Sequence, residues 1–324
     1  MNATDVLNQK WYDASTGLYQ DLWWNSANAI TSLADLTSVN KDQFLSTANY
    51  YFSNTLSAAP KTNGGSFLNT YYDDEGWWAM AWIRAYDVTG NSQYLDTAKT
   101  IFKDLLTGQG ATCGGQWWSK NKKYVASIAN ELFIEVAASL ANRAGNDGTD
   151  YQSYAQKELD WFLKSGLINS DNTINDGIDI STCKPTGTVW TYNQGVILGG
   201  LVEMYKLTND QSHLDTANRI AGAVTAHLVD SNGILTESGY PGPPDTTAAQ
   251  FKGVFARKLA ELQAVSPDDG YVRFLQKNAD SIWSSDRQGD GQIGPDWQGP
   301  YYTASMATQS SALDCVIAAA KVSS

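Results

Sequence analysis

The fold is decided by a stretch that occurs twice in the chain. Residues 73–98, DDEGWWAMAWIRAYDVTGNSQYLDTA, align without a gap to residues 192–217, YNQGVILGGLVEMYKLTNDQSHLDTA. Both copies place a glycine near the start, a tyrosine in the middle and the sequence Leu-Asp-Thr-Ala at the end. Self-similarity of this kind indicates a repeat architecture, in which each repeat is one supersecondary unit packed on its neighbours.

Weaker copies of the same pattern complete a set of six. They are WWNSANAITSLADL (23–36), IANELFIEVAASLANRAG (128–145), QFKGVFARKLAEL (250–262) and ATQSSALDCVIAAA (307–320). The first and last copies are as apolar as the others, whereas an open solenoid needs polar terminal units. No helix follows the sixth copy, and a helix near residues 3–12 can take that place. We therefore predict an all-α fold, an (α/α)6 barrel of six helical hairpins. One domain spans residues 1–324, and its N-terminal helix closes the ring.

Apolar residues at three-to-four spacing predict the individual helices. They lie near residues 3–12, 24–36, 41–58, 74–89, 92–107, 125–143, 151–165, 191–207, 211–228, 249–264, 268–285 and 305–321. Short β-like segments near 173–180 and 233–237 are expected in loops. No half of the chain is rich in strands, which agrees with an all-α domain.

Composition and charge narrow the functional classes. The 324 residues include 12 Trp and 17 Tyr but only 17% charged residues, a balance typical of carbohydrate-handling surfaces. The formal net charge of −12 argues against nucleic acid and anionic membrane surfaces as partners. The sequence contains no run of 18 apolar residues, so it predicts no membrane-spanning helix. The first residues, MNATDVLNQKWYD, lack the pattern of a signal peptide.

Cysteine and histidine are scarce. Cys113 and Cys183 lie in Gly/Thr-rich loop sequence, which allows a disulfide between them in an oxidising compartment. Cys315 lies in an apolar helical pattern and is predicted to be buried. Two histidines with no cysteine pair nearby argue against a zinc site and against a Ser-His-Asp triad, and we predict no metal.

Superposing the six copies gives columns of equivalent residues. One column is polar throughout: Asn25, Glu75, Asn130, Gln194, Lys252 and Gln309. The column before it holds Trp24, Asp74, Ala129, Asn193, Phe251 and Thr308. The column after it is mostly small, with Ser26, Gly76, Glu131, Gly195, Gly253 and Ser310. These side chains are either helix N-caps, for which Asn and Asp are favoured, or the lining of one mouth of the barrel. We favour a polar pocket, because Glu75, Gln194 and Lys252 are poor caps.

Only one copy carries a run of acids. Asp73 and Asp74 occupy positions that are Tyr192 and Asn193 in the most similar copy, so the scaffold does not require carboxylates there. Two carboxylates in a pocket of aromatics and amides suit glycoside cleavage, with one as nucleophile or base and the other as proton donor. Repulsion between them raises the pKa of one and keeps it protonated. The residues alone leave open whether the anomeric configuration is retained or inverted.

With these residues in place, the sequence resembles glycoside hydrolase family 76, the α-1,6-mannanases, whose fungal branch includes the Dfg5/Dcw1-type cell-wall proteins. The resemblance rests on YYDDEGWWAMAWIRAYDVTG (71–90), with support from WWNSAN (23–28), IANELF (128–133), WTYNQGVILGGL (190–201) and FKGVFARKL (251–259). It implies Asp73 as nucleophile and Asp74 as acid/base of a retaining mechanism. It also implies endo-cleavage of α-1,6-linked mannan without a cofactor, by a protein that is secreted or at the cell surface.

Two alternatives stay open beside a mannan hydrolase. A transglycosidase acting on cell-wall or GPI-anchor mannan would use the same nucleophile with a sugar hydroxyl as acceptor. A catalytically silent mannan-binding protein is disfavoured, because binding alone favours neutral amides over Asp73 and Asp74. The C-terminal residues lack the apolar tail of a GPI signal, so a freely secreted hydrolase, active as a monomer, is the expectation.

The expected sugar contacts follow from the columns and from aromatic loop residues on the same side. They are Trp24, Asn25, Glu75, Trp78, Asn130, Tyr192, Asn193, Gln194, Phe251 and Lys252 from the columns, and Trp117, Trp118 and Tyr240 from the loops.

Overall fold

A computed structural model describes residues 3–237 and 245–323 of the chain, and most of these residues are helical. The helices are α1 Ala3–Trp11, α2 Trp23–Val39, α3 Lys41–Thr62, α4 Tyr72–Thr89, α5 Ser92–Leu105, α6 Ser127–Arg143, α7 Tyr151–Lys164, α8 Thr191–Thr208, α9 Gln211–His227, α10 Phe251–Val265, α11 Asp269–Ser285 and α12 Met306–Val322. Every helix predicted from the periodicity is present, with ends that differ by no more than about one turn.

Short strands lie in the loops between helices. β1 (Tyr12–Asp13) pairs antiparallel with β2 (Leu18–Tyr19). β4 (Gly177–Asp179) pairs on one side with β3 (Val125–Ala126) and on the other with β5 (Lys184–Thr186). β4 and a single bridge at Leu235 fall in the two segments that the sequence predicted as β-like.

Six helices form a closed inner ring. α2, α4, α6, α8, α10 and α12 each pack against the next, and α12 packs against α2. α3, α5, α7, α9 and α11 form the outer layer, each packed on the inner helix that precedes it in the chain, and α1 packs on α12. The architecture is the predicted (α/α)6 barrel of helical hairpins. Among the described residues, no helix is both long and apolar enough to cross a membrane.

The column of small residues marks where inner helices approach most closely. A Cβ on Gly76 would lie 2.8 Å from Cβ of Leu132 in the next inner helix. A Cβ on Gly253 would lie 2.5 Å from the carbonyl oxygen of Ser311. Since real Cβ atoms do not approach neighbours so closely, the ring closes at this level only because these positions carry no side chain.

The apolar core lies between the two layers of helices, whereas the barrel interior holds charged groups. Arg84 of α4 pairs with Glu261 of α10, which stands opposite it in the ring, so this ion pair crosses the interior. Glu261 also accepts from Lys258, at 3.0 Å. Buried ion pairs are weak evidence for stability, because desolvation offsets most of the Coulombic attraction. The stabilising burial is therefore that of the apolar faces outside the ring.

A disulfide joins two long loops of the barrel. Cys113 lies in the loop between α5 and α6, and Cys183 lies between β4 and β5, with their Cα atoms 5.4 Å apart. The pairing that the sequence allowed is thus present. Cys315 is a free, fully buried cysteine of α12, as predicted.

Candidate active site

A cavity of about 400 Å³ opens where the inner helices begin. Its lining comes from five of the inner helices and from the loops that precede them. The lining residues are Trp24, Tyr71, Asp73, Asp74, Trp77, Trp118, Tyr124, Ala126, Ile128, Asp176, Tyr192, Thr247 and Phe251. Aromatic rings and carboxylates dominate this surface. The sequence predicted both kinds of group in one pocket, and both line this cavity.

The opposite mouth of the barrel has a larger depression of about 570 Å³. It is lined by charged groups such as Arg84, Glu261 and Lys321, which are already paired with each other or with Asp35. Among the residues that the structure describes, no aromatic ring lines it. We therefore place the chemistry in the smaller cavity.

Asp73 and Asp74 lie side by side in the first turn of α4, and a side-chain hydrogen bond holds each of them. Nε1 of Trp118 donates to Oδ2 of Asp73 at 2.8 Å. Nδ2 of Asn69 donates to Oδ2 of Asp74 at 2.6 Å. Oδ1 of Asp73 is buried and has no hydrogen-bond partner within the described part of the chain. Each carboxyl thus has a second oxygen that does not accept from Trp118 or Asn69.

Burial and mutual repulsion disfavour two negative charges in this place. Burial raises the pKa of Asp73 above its ordinary value, and the neighbouring charge of Asp74 raises it further. Burial also raises the pKa of Asp74, against the hydrogen bond from Asn69. The pair therefore holds one proton near neutral pH, which gives the site one proton donor and one ionised carboxylate.

The start of α4 suits anions, unlike the starts of the outer helices. The outer helices α3, α5, α7, α9 and α11 have an Asn or Asp N-cap whose side chain accepts from a backbone N–H. α4 begins after Tyr71, and no side chain caps it. Its first backbone N–H groups and its dipole are thus directed toward the carboxylates of its own first turn.

A third carboxylate reaches the cavity from a loop. Asp176, just before β4, accepts a hydrogen bond from the hydroxyl of Tyr124 at 2.6 Å. Burial raises the pKa of Asp176. The loop is fixed because the backbone oxygen of Asp176 accepts from the N–H of Ser127, the first residue of α6, at 2.7 Å. Sequence reasoning missed Asp176 and Tyr124, since neither belongs to a repeated column.

Four aromatic rings form a closed set that we call the aromatic cluster: Trp24, Trp77, Tyr192 and Phe251. Ring centroids are 5.9 Å apart for Trp24 and Trp77, and 6.4 Å apart for Trp77 and Tyr192. Tyr192 and Phe251 are stacked at 3.8 Å, and Phe251 lies 6.3 Å from Trp24. Trp24, Tyr192 and Phe251 were predicted sugar contacts, and all three line the cavity.

Of the two consecutive tryptophans in α4, the sequence predicted the wrong one at the cavity. Trp78 was expected at the cavity, but it is fully buried against Phe67 and Trp82 in the layer between helices. Trp77 lines the cavity instead. One residue turns a helix by about 100°, and only the packing shows which of two consecutive tryptophans is directed inward.

The polar column does not line the cavity, and most of its members bind loop backbone. Gln194 accepts from the N–H of Ile174 at 2.8 Å and donates to its carbonyl at 3.0 Å. Gln309 accepts from the N–H of Ile293 in the same way, at 2.9 Å. The Cβ of a helical residue tilts toward the helix N-terminus, which brings these side chains onto the preceding loops.

The other members of the column follow the same rule with different chemistry. Asn130 accepts from the N–H of Gln116, Glu75 from the N–H of Asn69, and Lys252 donates to the carbonyl of Pro295. Asn25 bonds the side chain of Gln250. All are buried outside the cavity, as is Asn193 from the neighbouring column. The column therefore holds the loops in place and contains neither caps nor cavity-lining groups.

Of the three aromatic loop residues predicted as sugar contacts, the structure describes two, and one of these lies at the cavity. Trp118 lines the cavity and touches Asp73, whereas its neighbour Trp117 is buried away from the cavity. Tyr240 lies outside the residues that the structure describes. Two further lining residues, Tyr71 and Thr247, were not predicted.

The sequence and the fold are both similar to those of known proteins. The profile described as Glycosyl hydrolase family 76 matches residues 2–323. The chain is similar to the mannan endo-1,6-alpha-mannosidase DFG5 of Saccharomyces cerevisiae, with 26% identity over 79% of this chain and 60% of that protein. It is also similar to the mannan endo-1,6-alpha-mannosidase DCW1 of the same yeast, with 26% identity over 79% of this chain and 62% of that protein. The chain thus spans about three fifths of the length of these relatives.

Solved structures with the same fold extend over nearly the whole chain. An inactive variant of an α-1,6-mannanase of Salegentibacter sp. HEL1_6, in complex with alpha-1,6-mannotetrose, matches with a TM-score of 0.88 and 21% identity, covering 98% of this chain and 97% of that one. The Lin0763 protein of Listeria innocua matches with a TM-score of 0.85 and 26% identity, covering 99% and 95%.

Proposed function

Since the chain belongs to glycosyl hydrolase family 76, we propose that it is an endo-acting glycoside hydrolase that cleaves α-1,6-mannosidic linkages in mannan. The observation that carries the proposal is the adjacent pair Asp73 and Asp74, set in a cavity of aromatic rings. The names of the yeast relatives, mannan endo-1,6-alpha-mannosidases, support the linkage. We take residues 1–324 as one catalytic domain that acts as a monomer and needs no cofactor.

The proposed reaction is a double displacement with retention. Asp74 protonates the glycosidic oxygen while the carboxylate of Asp73 attacks the anomeric carbon, so the C–O bond to the leaving sugar breaks and a glycosyl ester forms. Asp74, now ionised, takes a proton from water, and the hydroxide oxygen attacks the anomeric carbon. The ester bond breaks, Asp73 leaves as a carboxylate, and Asp74 is again protonated.

The hydrogen bond from Trp118 supports the role proposed for Asp73. The indole N–H of Trp118 can only donate, so it stabilises the ionised form of Asp73, as a nucleophile requires. The uncapped start of α4 favours an anion in the same place. Burial raises the pKa of both carboxyls, and of Asp73 more than of Asp74, so the pair keeps one proton. We assign that proton to Asp74 in the reactive complex, where Asp73 must be ionised to attack. General acid catalysis of this kind contributes about 10²–10⁴-fold.

The cavity surface suits a chain of pyranose rings. The rings of Trp24, Trp77, Tyr192 and Phe251 offer apolar faces to the C–H faces of mannose. Asp176 and Tyr124 offer a hydrogen-bond acceptor and a hydroxyl for sugar hydroxyl groups. We propose these as substrate contacts together with Trp118.

The same proposal includes a location outside the cytosol. The disulfide between Cys113 and Cys183 supports it, because disulfides persist in oxidising compartments. Secretion or attachment at the cell surface also matches the proposed substrate, a cell-wall mannan.

The decisive experiment separates the two aspartates by their chemistry. We expect Asp73→Asn to abolish turnover of α-1,6-mannooligosaccharides and of mannosides with an activated leaving group. We expect Asp74→Asn to abolish turnover of α-1,6-mannooligosaccharides, whose leaving sugar must be protonated. Mannosides with an activated leaving group should still form the glycosyl ester, because a good leaving group needs no acid. Added azide should then attack that ester and yield a mannosyl azide of retained configuration. Far-UV circular dichroism controls for folding. Full activity of either variant on the oligosaccharide would refute the role assigned to that residue.

The lengths of the products decide among the remaining functions. Products shorter than the α-1,6-mannooligosaccharide supplied indicate hydrolysis. Longer products indicate transglycosylation, the second candidate. Binding without any product by the wild-type protein would identify a mannan-binding protein and refute the proposed activity.

A further inference from the structure

A buried cation lies behind the aromatic cluster. The guanidinium carbon of Arg257, on α10, is 5.8 Å from the ring centroid of Trp77, on α4. Arg257 is 5% exposed and Trp77 is 3% exposed. Trp77 lines the cavity, while Arg257 is not among the lining residues, so the guanidinium contacts the indole from within the barrel. A guanidinium in this range is attracted electrostatically to the ring, and more strongly where both are desolvated.

Two other inner helices fix the guanidinium. Nη1 of Arg257 donates to Oδ2 of Asp314, on α12, at 2.9 Å, and Nη2 donates to Oδ1 of Asn28, on α2. Asp314 is fully buried, and Ser32 donates to its other oxygen at 2.5 Å. Three helices of the ring thus set the position of one cation, and that cation contacts a ring contributed by a fourth.

The six copies do not share this ion pair. In the superposed copies, the position of Arg257 is occupied by Ile30, Met80, Glu135, Gly199 and Asp314, so two copies have an apolar side chain at this level and one has a glycine. Replacing a buried ion pair by apolar residues of similar volume is often neutral or stabilising. Stability therefore does not explain why Arg257 and Asp314 are present.

We propose that Arg257, held by Asp314 and Asn28, is a positioning residue that fixes the indole of Trp77 in the orientation in which it receives a sugar ring. The inference rests on the proposed function for the identity of the ligand, a mannose unit of the substrate. The orientation of Trp77 itself does not depend on that function. Since the indole contacts bound sugar in both the ground state and the transition state, its loss of order should raise KM and leave kcat nearly unchanged.

The test replaces the ion pair by apolar residues of similar size. In the double variant Arg257→Met/Asp314→Leu, we expect KM for an α-1,6-mannooligosaccharide to rise about tenfold, with kcat within about twofold of the wild type. The matched control is Lys258→Met/Glu135→Leu, which removes another buried ion pair of the barrel interior and leaves Glu261 paired with Arg84. Its KM should not change.

A second readout follows Trp77 directly. In protein labelled with 5-fluorotryptophan, the fluorine resonance of Trp77, assigned by its loss in Trp77→Phe, should shift or broaden in Arg257→Met/Asp314→Leu and stay in place in the control. An unchanged KM together with an unchanged resonance would overturn the inference. If the wild type does not cleave α-1,6-mannan, the proposed function fails, and the resonance still decides the positioning role.

A conservative variant covers the case in which the double variant does not fold. Arg257→Lys keeps the charge but cannot donate to Asp314 and Asn28 from two fixed nitrogens. We expect a KM about threefold above that of the wild type, between the wild type and the double variant, and a shifted Trp77 resonance. Wild-type values of both for Arg257→Lys would overturn the inference.

Discussion

The hydrogen bond from Trp118 to Asp73 gives the sharpest prediction. Trp118→Phe keeps an aromatic ring beside Tyr71 and Tyr124 but removes the Nε1–H that donates to Oδ2 of Asp73 at 2.8 Å. Since Oδ1 of Asp73 already lacks a partner, the ionised carboxylate would lose its side-chain donor. The variant therefore disfavours the charged form of a group whose pKa burial has already raised.

The size of the effect follows from the strength of such bonds. A hydrogen bond to a charged group contributes about 1.5–3 kcal/mol. One pKa unit corresponds to about 1.4 kcal/mol, so the pKa of Asp73 should rise by about one to two units. The active form needs Asp73 ionised, and that form is lost as pH falls through its pKa. The acidic limb of the pH profile of kcat/KM should therefore move to higher pH by about one to two units.

The assay is the initial rate of reducing-end formation from α-1,6-mannooligosaccharide over a series of pH values. Trp117→Phe serves as control, because it changes the adjacent buried indole in the same loop. An acidic limb that stays in place in Trp118→Phe, with rates lowered equally at every pH, would refute the claim that this hydrogen bond sets the ionisation of Asp73.

Three further predictions concern stability. Cys113→Ser opens a disulfide with a sequence separation of 70, and chain entropy predicts a loss of about 4 kcal/mol in the free energy of unfolding. Urea titration of the variant and the wild type under oxidising conditions measures the loss, and wild type treated with a reductant should match the variant. Gly253→Ala should destabilise by about 1–3 kcal/mol or more, since its Cβ would meet the next helix. Gly222→Ala, with nothing within 4 Å, should stabilise by about 0.5–1 kcal/mol, and equal melting temperatures for the two would contradict the close-approach argument. Burial disfavours the charge of Glu203, but Arg143 holds the pKa of that carboxyl well below its ordinary value. The stability it contributes is present above about pH 4.5 and lost on acidification, so Glu203→Gln should show a flatter loss of stability from about pH 5 to 2 than wild type.

The sequence determined the architecture because the repeat is a local pattern. Apolar periodicity located all twelve helices, and six similar copies without polar ends predicted a closed ring, as found. Helix packing explains the column of small residues that follows the polar column, since Gly76 and Gly253 lie where neighbouring helices come closest. Comparison between copies singled out Asp73 and Asp74, because a repeated scaffold shows directly which residues it does not need.

The tertiary structure decided the direction of each side chain and the contribution of the loops. The columns predicted that Glu75 and Gln194 line the pocket, yet both side chains bind loop backbone. An inner helix has neighbours on every side, and the polarity of a residue does not show which neighbour its side chain contacts. Trp77 and Trp78 differ by one residue, and packing alone assigns one to the cavity and the other to the core.

Asp176 reaches the site from a segment outside every repeat, placed there by strand pairing and by contacts between residues distant in the chain. A repeated sequence fixes the helices through local periodicity, whereas a binding site forms where different copies and their loops meet. That meeting depends on packing between residues far apart in the chain, and it is visible only in the folded protein.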